Sequence, residues 1–300
     1  MARILVIRLG ALGDFVQSFA PFATIRAHHA HDVVDLLTQE ALAGLGRQAP
    51  WFDHVLVDRR PPWHDLRAVL ALRRVLRSYD FIYDLQTSGR STRYLRLSGL
   101  TAWSGIGRGG QAVHDNPQRR FMHTRARQRD QLRRAGLESL CVPDLSWLAA
   151  GGPVLPAPYG VLVPGAAAHR PAKRWPVARY AALAVRMAEG GLLPVVVGGK
   201  GEGALAATIR AACPTAVDLT GRTTLPELGG VLARARCAVG NDTGPMHMAA
   251  ALGVPCTVLF SADSNPALTA PVGQHAGQVK VIYVRDLATV RVDRVAATLG

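Results

Sequence analysis

Cysteine and aromatic residues are scarce in this sequence. Its 300 residues include four cysteines, with no C-x-x-C pair and no histidine at zinc-finger spacing. This argues against a zinc site and against a disulfide framework. Aromatic residues make up only 6% of the chain, and neither a nucleic-acid reading module nor an aromatic stacking platform is apparent. We therefore expect reduced, packed cysteines and no nucleic acid partner.

Long apolar runs are also missing. No uninterrupted stretch approaches the roughly 20 apolar residues of a membrane span, and the apolar core of residues 1–8 is too short for a signal peptide. We expect a cytoplasmic protein. With 49% hydrophobic and 19% charged residues, the chain can bury one large core or two of ordinary size, so disorder is not expected to dominate.

Acidic residues are few relative to basic ones, which gives a net charge of +14. Such an excess attracts nucleic acid, anionic lipid headgroups or phosphorylated sugars, and charge alone does not choose among them. Much of it falls in one predicted helix of the first half. A solvated helix face is the alternative explanation. The arginines of this basic segment are Arg119, Arg120, Arg125, Arg127, Arg129, Arg133 and Arg134.

Strands and helices alternate along the chain, as in an open parallel sheet covered by helices. A Pro- and Gly-rich stretch at about 142–158 has the composition of a domain linker. We therefore predict two Rossmann-like α/β domains, 1–150 and 151–300, that face a ligand-binding cleft. The predicted strands are 3–8, 33–37, 54–57, 81–85, 160–163, 193–197, 237–239 and 256–260. The predicted helices are 15–26, 64–77, 177–189, 202–212 and 246–252.

Two polar segments follow strands of the first half. In the first, Gly10 and Gly13 match a dinucleotide fingerprint only incompletely, but Asp14 follows at the start of a helix. Asp14 is either a helix N-cap or a candidate general base. The second segment runs from Asp84 through Gln86 to Ser91, and its polar groups suit a sugar hydroxyl or a phosphate, although a turn with a helix cap explains part of it equally well.

Two further segments follow strands of the second half. In the third, Gly165 permits close backbone approach, and Lys173 and Arg174 supply positive charge before a helix, which suits a diphosphate. The fourth, residues 240–251, opens an apolar helix whose free N–H groups favour phosphate. A capping Asp242 or Thr243 is the plainer explanation, but it leaves His247, one turn further on, unexplained. No Gly-Lys-Ser or Gly-Lys-Thr occurs in the sequence, so a P-loop is not expected.

Together these segments resemble glycosyltransferase family 9, the bacterial heptosyltransferases of lipopolysaccharide core synthesis. The likeness spans nearly the whole chain, and the last motif is the most specific. The matching pieces, in the family's order, are Gly10-Ala11-Leu12-Gly13-Asp14, Asp84-Leu85-Gln86 with Arg90-Ser91, Lys173-Arg174-Trp175-Pro176 and Asn241-Asp242-Thr243-Gly244-Pro245-Met246-His247.

The resemblance implies a GT-B fold with an N-terminal acceptor domain and a C-terminal domain for an ADP-activated heptose. By analogy with the family, Asp14 would deprotonate the acceptor hydroxyl as it attacks the anomeric carbon from the face opposite the nucleotide, so that transfer inverts the anomeric configuration. Lys173 would contact the donor diphosphate. Donor contacts are expected from Gly165, Lys173, Arg174, Asp242, Thr243, Gly244 and His247. Acceptor contacts are expected from Gly13, Gln86, Arg90 and Arg120.

Other expectations concern cofactors and location. An Asp-x-Asp run is absent, so metal-independent transfer is the better hypothesis, with a loosely bound Mg²⁺ as the alternative. The acceptor implied by the family is an anionic, lipid-linked lipopolysaccharide core. The basic segment would draw the protein to the cytoplasmic face of the inner membrane as a peripheral protein.

The chain departs from the family pattern in two loops. Ala167 and Ala168 stand where relatives often carry Ser, Thr or Glu, and residues 261–266 replace a common Gly-Pro-Thr-Asp-Pro segment. Two alternatives therefore stay open. Besides the transfer of heptose from an ADP-sugar, the protein is a transferase that uses another nucleotide hexose, or a nucleotide-sugar-binding relative without turnover.

Overall fold

The structure is a computed structural model that describes residues 1–156, 158–167 and 169–299. Ala168, one of the two alanines that depart from the family pattern, lies outside the described residues. Contacts divide the chain into two compact units, Met1–Asp144 (unit 1) and Leu145–Gly300 (unit 2). The division falls inside the stretch predicted as a linker.

Unit 1 is built on a six-stranded parallel sheet with the order β3-β2-β1-β4-β5-β6. Its described strands are β1 (Arg3–Ile7), β2 (Val33–Thr38), β3 (His54–Val57), β4 (Phe81–Asp84), β5 (Trp103–Gly105) and β6 (Ala112–Val113). Its helices are α1 (Leu12–Gln17), α2 (Phe19–His28), α3 (Glu40–Gln48), α4 (Leu66–Arg77), α5 (Gly89–Ser98) and α6 (Thr124–Arg134), and a 3-10 turn covers Arg119–Phe121.

Unit 2 repeats this plan, with the strand order β12-β11-β10-β7-β8-β9 and parallel pairing throughout the described strands. These strands are β7 (Tyr159–Val163), β8 (Leu193–Val196), β9 (Val217–Asp218), β10 (Cys237–Asn241), β11 (Cys256–Phe260) and β12 (Val279–Tyr283). The helices are α7 (Ser146–Ala149), α8 (Val177–Glu189), α9 (Gly203–Ala212), α10 (Leu225–Ala233), α11 (Gly244–Ala251), α12 (Pro266–Thr269) and α13 (Val292–Ala296).

The central strands are apolar because both faces of each sheet are covered. All residues of β7, β10 and β11 are buried, as are four of the five in β1. Parallel sheets packed between helix layers have this composition. In unit 1 the core includes Tyr94 and Trp103, and in unit 2 Trp175 and Tyr180 pack edge to face with ring centroids 4.8 Å apart.

The alternating pattern is confirmed, although β5, β6, β9 and β12 were not predicted. Three of the predicted segments also differ from the structure. The predicted helix 15–26 is two helices, because Pro21 has no N–H for the carbonyl of Gln17, the last residue of α1. The basic segment is not one helix, since Arg119–Phe121 forms a 3-10 turn and α6 begins at Thr124. The short helix α7 lies inside the predicted linker.

The strand order reverses between β1 and β4 in unit 1, and between β7 and β10 in unit 2. Doubly wound sheets bind ligands beyond the carboxyl ends of the strands at such a point. All four polar segments singled out in the sequence follow one of these four strands. Across the described residues, no helix combines the length and apolarity that a membrane crossing requires.

Candidate functional site

Asp14 lies in the first turn of α1, just after β1. The N-cap position of this helix is held by Ala11, whose methyl group cannot accept a hydrogen bond, so Asp14 is not the helix cap considered from the sequence. The Asp14 side chain is 44% exposed, and its Oδ1 lies 3.4 Å from Nη2 of the buried Arg8. Unit 1 therefore presents an accessible carboxylate beside a fixed guanidinium.

Arg8 and Gln86 join the loops that follow β1 and β4. Arg8 Nη1 donates to the carbonyl oxygen of Leu85, and the backbone N–H of Leu9 donates to Gln86 Oε1 over 2.8 Å. Gly13 is buried inside α1. The predicted acceptor contacts of Gly13 and Gln86 stay predictions, but both residues lie at the strand ends where a ligand is expected.

A polar pocket of about 200 Å³ opens at this edge of the unit 1 sheet. This volume exceeds that of a cavity of about 150 Å³ that holds benzene, so the pocket has room for a sugar ring or an acidic group. Three of its lining residues are arginines. The pocket is lined by Arg8, Asp14, Leu85, Gln86, Thr87, Arg119, Thr124, Arg127, Gln128 and Gln131.

Three of the four predicted acceptor residues, Gly13, Arg90 and Arg120, are not among the residues that line this pocket. Arg90 Nε donates to the hydroxyl of Tyr94 over 2.7 Å, and the guanidinium stacks on Trp63 with 5.6 Å to the ring centroid. Arg120 is exposed and stacks on Phe121. The neighbouring Arg119 enters the pocket instead, since the 3-10 turn directs the two side chains differently.

Arg119 is held in position by its neighbours. Its Nη2 donates to Thr87 Oγ1 over 2.6 Å and its Nε to His114 Nδ1 over 3.1 Å, while Asp130 lies 2.8 Å from the other ring nitrogen of His114. Burial lowers the pKa of Arg119, and the nearby charge of Arg127 lowers it further. Like charges are thus held close together here, and a bound anion would relieve their repulsion.

Asp84, the last residue of β4, is buried behind this pocket. Burial raises the pKa of its carboxyl to about 6, although the backbone N–H groups of Thr87 and Gln86, the Ser91 hydroxyl and the charge of Arg8 oppose the shift. The backbone N–H of Thr87 donates to Asp84 Oδ1 over 2.9 Å. Asp84 therefore anchors the loop after β4 and titrates close to neutral pH.

In unit 2, Asn241 ties together the loops after β7 and β10. Its Nδ2 donates to the carbonyl oxygens of Pro164 and Gly165 over 2.9 and 3.1 Å. Its Oδ1 accepts from the backbone N–H of Trp175 over 3.0 Å and from the Tyr180 hydroxyl over 3.1 Å. Because Asn241 is fully buried, these bonds fix where Lys173 and Asp242 stand.

Lys173 and Asp242 form an ion pair at the switch point of unit 2. Lys173 Nζ lies 2.6 Å from Asp242 Oδ2, and the side chains are only 12% and 9% exposed. The Ser264 hydroxyl donates to the same carboxylate oxygen over 2.7 Å. His247 Nε2 is 3.9 Å from the other oxygen, beyond hydrogen-bonding distance. Ser264 belongs to the loop whose departure from the family pattern was noted in the sequence.

The charge of Asp242 follows from these contacts. Burial alone would raise its pKa, but the partners around it, of which Lys173 and Ser264 are within hydrogen-bonding distance, lower it from 3.8 to about 2. The group is therefore ionised at neutral pH. The family resemblance led us to expect a contact between Asp242 and the donor phosphates, and this contact stays a prediction. Charge repulsion argues against it, because an ionised carboxylate repels phosphate.

Thr243, Gly244 and His247 lie at the start of α11. Thr243 is the N-cap residue, but its hydroxyl donates to the carbonyl oxygen of Asn241 over 3.2 Å and makes no side-chain cap within the described residues. The capping role considered from the sequence is thus not seen for Asp242 or Thr243. First-turn N–H groups of such a helix attract anions.

Gly165 and Arg174 contribute to the loop geometry. A Cβ on Gly165 would lie 1.7 Å from Oε1 of Glu202, so the Glu202 carboxylate uses the space that a side chain at position 165 would occupy. Arg174 Nη2 donates to the carbonyl oxygen of Ala166 over 2.8 Å, and thereby braces the loop after β7. Glu202 was not expected at this site from the sequence, although Gly198 to Glu202 also follow a strand, β8, at the same edge of the sheet.

In the described ranges, no group of three or more His, Cys, Asp or Glu side chains is arranged to hold a metal ion. Arg8, Gln128 and Gln131 line the pocket of unit 1, although they were not expected there from the sequence. The spacing of α6 offers a signal, because Thr124, Arg127, Gln128 and Gln131 recur at helical intervals on one face.

The fold and these strand-end loops define a protein of two Rossmann-like units, each with its polar site at the switch point. Residues 110–296 match the profile of glycosyltransferase family 9 (heptosyltransferase). Because this match covers more than half of the chain, the chain belongs to glycosyltransferase family 9, and the resemblance seen in the sequence is confirmed.

Individual relatives agree. Over 117 residues the chain is 35% identical to lipooligosaccharide heptosyltransferase 2 of Haemophilus influenzae, a match that covers 37% of this chain and 34% of that protein. It is 28% identical to lipopolysaccharide heptosyltransferase 1 of Pseudomonas aeruginosa over 91% of this chain and 82% of the relative. The first of these matches thus spans only about a third of its curated relative.

Solved structures show the same fold. The E. coli heptosyltransferase WaaC, solved with ADP, superposes with a TM-score of 0.80 at 18% identity and covers 98% of both chains. E. coli ADP-heptose heptosyltransferase II gives 0.76 at 23% identity, over 99% of this chain and 97% of that one. The predicted GT-B fold class is confirmed.

Proposed function

We propose that this protein is an inverting glycosyltransferase that moves a heptose, or a related sugar, from an ADP-sugar to a lipopolysaccharide core acceptor. Unit 2 would bind the donor and unit 1 the acceptor. The observation that carries the proposal is the Lys173 ammonium, held at the switch point of unit 2 in a chain of family 9. The relatives' names, which specify heptosyltransferases, support the sugar.

Lys173 suits the leaving group. Breaking a glycosyl phosphate bond leaves negative charge on the diphosphate, and a fixed cation with helix N–H donors lowers that barrier. An ammonium has three donors, of which Asp242 takes one. We assign the others to the diphosphate, together with the first turn of α11, and we assign Asp242 to holding Lys173 in place.

Asp14 suits the base. It is the accessible carboxylate in the unit 1 pocket, and a base must reach the hydroxyl that attacks the anomeric carbon. Attack opposite the departing ADP inverts the configuration. Arg8, 3.4 Å from Asp14, keeps the carboxylate oriented and becomes its counter-ion again when the proton is passed on.

The anionic part of the acceptor is assigned to the arginine pocket. Arg119 and Arg127 present guanidinium groups there, and both are held by threonine hydroxyls, Thr87 and Thr124 respectively. Guanidinium groups bind carboxylate and phosphate in a paired geometry. This assignment moves the expected contact from Arg120 to Arg119 and adds Arg127.

We further propose that transfer needs no metal ion and takes place at the cytoplasmic face of the inner membrane. The ammonium of Lys173 occupies the carboxylate of Asp242, which weakens Asp242 as a ligand for Mg²⁺ and supplies the positive charge instead. The location follows from the acceptor class, which is lipid-linked.

The test is transfer from ADP-heptose to a truncated lipopolysaccharide acceptor by the wild type and by Asp14→Asn. Removing a general base lowers the rate by about 100- to 10,000-fold. We expect such a loss of kcat, with an unchanged shift of the melting temperature by ADP, because the nucleotide contacts lie in unit 2.

Glu40→Gln is the matched control, since Glu40 is an exposed carboxylate in the first turn of α3 and we expect it to retain full activity. Equal turnover by wild type and Asp14→Asn would remove Asp14 from the mechanism. If the wild type binds ADP but transfers no sugar from any member of a nucleotide-sugar panel, the binding-only alternative is left.

A further inference from the structure

Helix α4 presents a face that combines arginine and leucine. Leu66 is 69% exposed and Leu70 47% exposed, and Arg73, Arg74 and Arg77 are exposed as well. These five residues follow the spacing i, i+4, i+7, i+8 and i+11, so they share one side of the helix. We call them the α4 face.

The opposite side of α4 accounts for its packing. Leu76 is buried in the unit 1 core and Leu72 packs against the same cluster, and the helix contacts α5. Folding of unit 1 therefore uses Leu72 and Leu76, whereas the exposed leucines have no part in that core.

The charge around the α4 face is strongly one-sided. Residues 59–77 contain six arginines and one acidic residue, Asp65. Asp65 caps the helix by accepting from the backbone N–H of Ala68. Among the described residues, none of the arginines of the α4 face takes part in an ion pair. The face thus keeps its full positive charge.

Helix α6, the basic helix singled out in the sequence, differs in this respect. Arg133 and Arg134 pair with acidic residues, and Arg127 lines the pocket. Leu132 is buried, so α6 shows no exposed leucine within the described residues. Most of the positive charge of α6 is therefore engaged by ion pairs or by the pocket of unit 1.

We propose that the α4 face docks on an anionic lipid surface. Lipid headgroups attract the arginines, and the two leucines enter the boundary between headgroups and acyl chains, as in interfacial amphipathic helices. A phosphodiester backbone offers the leucines no apolar contact, so the face fits a membrane better than nucleic acid. α4 therefore takes the membrane contact that the sequence analysis assigned to the basic segment.

The experiment is co-sedimentation of the full chain with vesicles of phosphatidylethanolamine and phosphatidylglycerol, compared with pure phosphatidylcholine. Each arginine near an anionic surface contributes about a fivefold gain in binding, so Arg73→Gln/Arg74→Gln should lose about 25-fold. The double variant Leu66→Ser/Leu70→Ser should also bind the vesicles more weakly. The binding that this variant keeps should vanish in 0.5 M NaCl, because only the electrostatic attraction is left and salt screens it.

The matched control is Arg129→Gln/Arg133→Gln on α6, which removes the same charge and should keep most of the binding. An equal loss in this control, equal binding to phosphatidylcholine, or no binding by the wild type would each overturn the proposal. So would a loss of duplex DNA binding in Arg73→Gln/Arg74→Gln while vesicle binding persists. The assay contains no donor or acceptor, so its result is independent of the transfer reaction.

Discussion

Replacing Asp242 by asparagine tests the ion pair on which the proposed donor site depends. Asparagine keeps the size of the side chain but removes the charge that faces Lys173, 2.6 Å away. Lys173 then keeps its positive charge in a nearly buried position without a counter-ion, and the Ser264 hydroxyl loses its charged acceptor. We expect unit 2 to be destabilised and Lys173 to lose its fixed position.

The magnitude follows from the pKa and from the burial. The pKa of Asp242 falls from 3.8 to about 2 in the folded chain, a difference of just under two units, which corresponds to about 2.5 kcal/mol. Removing one partner of a buried pair costs about 3–5 kcal/mol. The expected loss at pH 7 therefore lies between about 2.5 and 5 kcal/mol.

The pH dependence has a definite sign. Because the pKa of Asp242 is lowered by folding, its stabilisation is complete well above pH 4 and disappears as the pH falls through about 2. The difference between wild type and Asp242→Asn should therefore shrink by about 1 kcal/mol between pH 7 and pH 3.

Native-state hydrogen exchange is the suitable assay, because it reports the two units separately. Amides of β7 and β10 in unit 2 should lose protection in Asp242→Asn, whereas those of β1 in unit 1 should not. Asp263→Asn, an exposed aspartate in the loop of Ser264, is the matched control. Unchanged protection in Asp242→Asn, or an equal change in Asp263→Asn, would refute the reasoning.

Two further predictions concern unit 1. Burial raises the pKa of Asp84 to about 6, so the stability that its protonated form contributes is lost as the pH rises from about 4 through 6. In urea unfolding, the free energy of unfolding of Asp84→Asn should therefore gain up to about 3 kcal/mol relative to wild type between pH 4 and pH 8. A constant difference between the two proteins would contradict this prediction. Arg127→Gln should raise the KM for the acceptor about 10- to 100-fold at an unchanged KM for the donor, whereas Arg129→Gln should not, and equal effects would remove Arg127 from the acceptor site.

Much of the fold was predictable because buried parallel strands are recognisable as apolar runs. The runs at β1, β7 and β11 have five residues each and are almost wholly buried. By contrast, β6 and β9 have two residues each, too few for a pattern. β12 was missed for another reason, since at the sheet edge only one of its five residues is buried.

The candidate site was predictable only to the extent that a residue's position after a strand indicates its place in the fold. Because Asp14 and Asp242 follow central strands, their location at a switch point could be expected. Which side chain faces which was not predictable. Arg119 and Arg120 are adjacent in the sequence, and only the 3-10 turn, together with Thr87 and His114, decides that Arg119 enters the pocket.

The interaction between Lys173 and Asp242 illustrates the same limit. The two residues are 69 positions apart. Their contact depends on the buried Asn241, which hydrogen-bonds the loop after β7 and thereby holds it against the loop after β10. In the sequence, both residues were expected to contact the donor. The geometry in addition pairs them with each other, a tertiary outcome that composition and spacing do not encode.

The two units differ in charge balance, and this suggests how each substrate is recognised. The pocket of unit 1 has three lining arginines, Arg8, Arg119 and Arg127, against one lining carboxylate, Asp14, so it carries spare positive charge for an anionic acceptor. In unit 2, Lys173 is balanced by Asp242, and the pair has no net charge. In the proposed donor site, attraction for a diphosphate would then come from the remaining Lys173 donors and the first turn of α11, with Arg174 as the other expected cation. We infer that charge draws the acceptor, whereas directed hydrogen bonds select the donor.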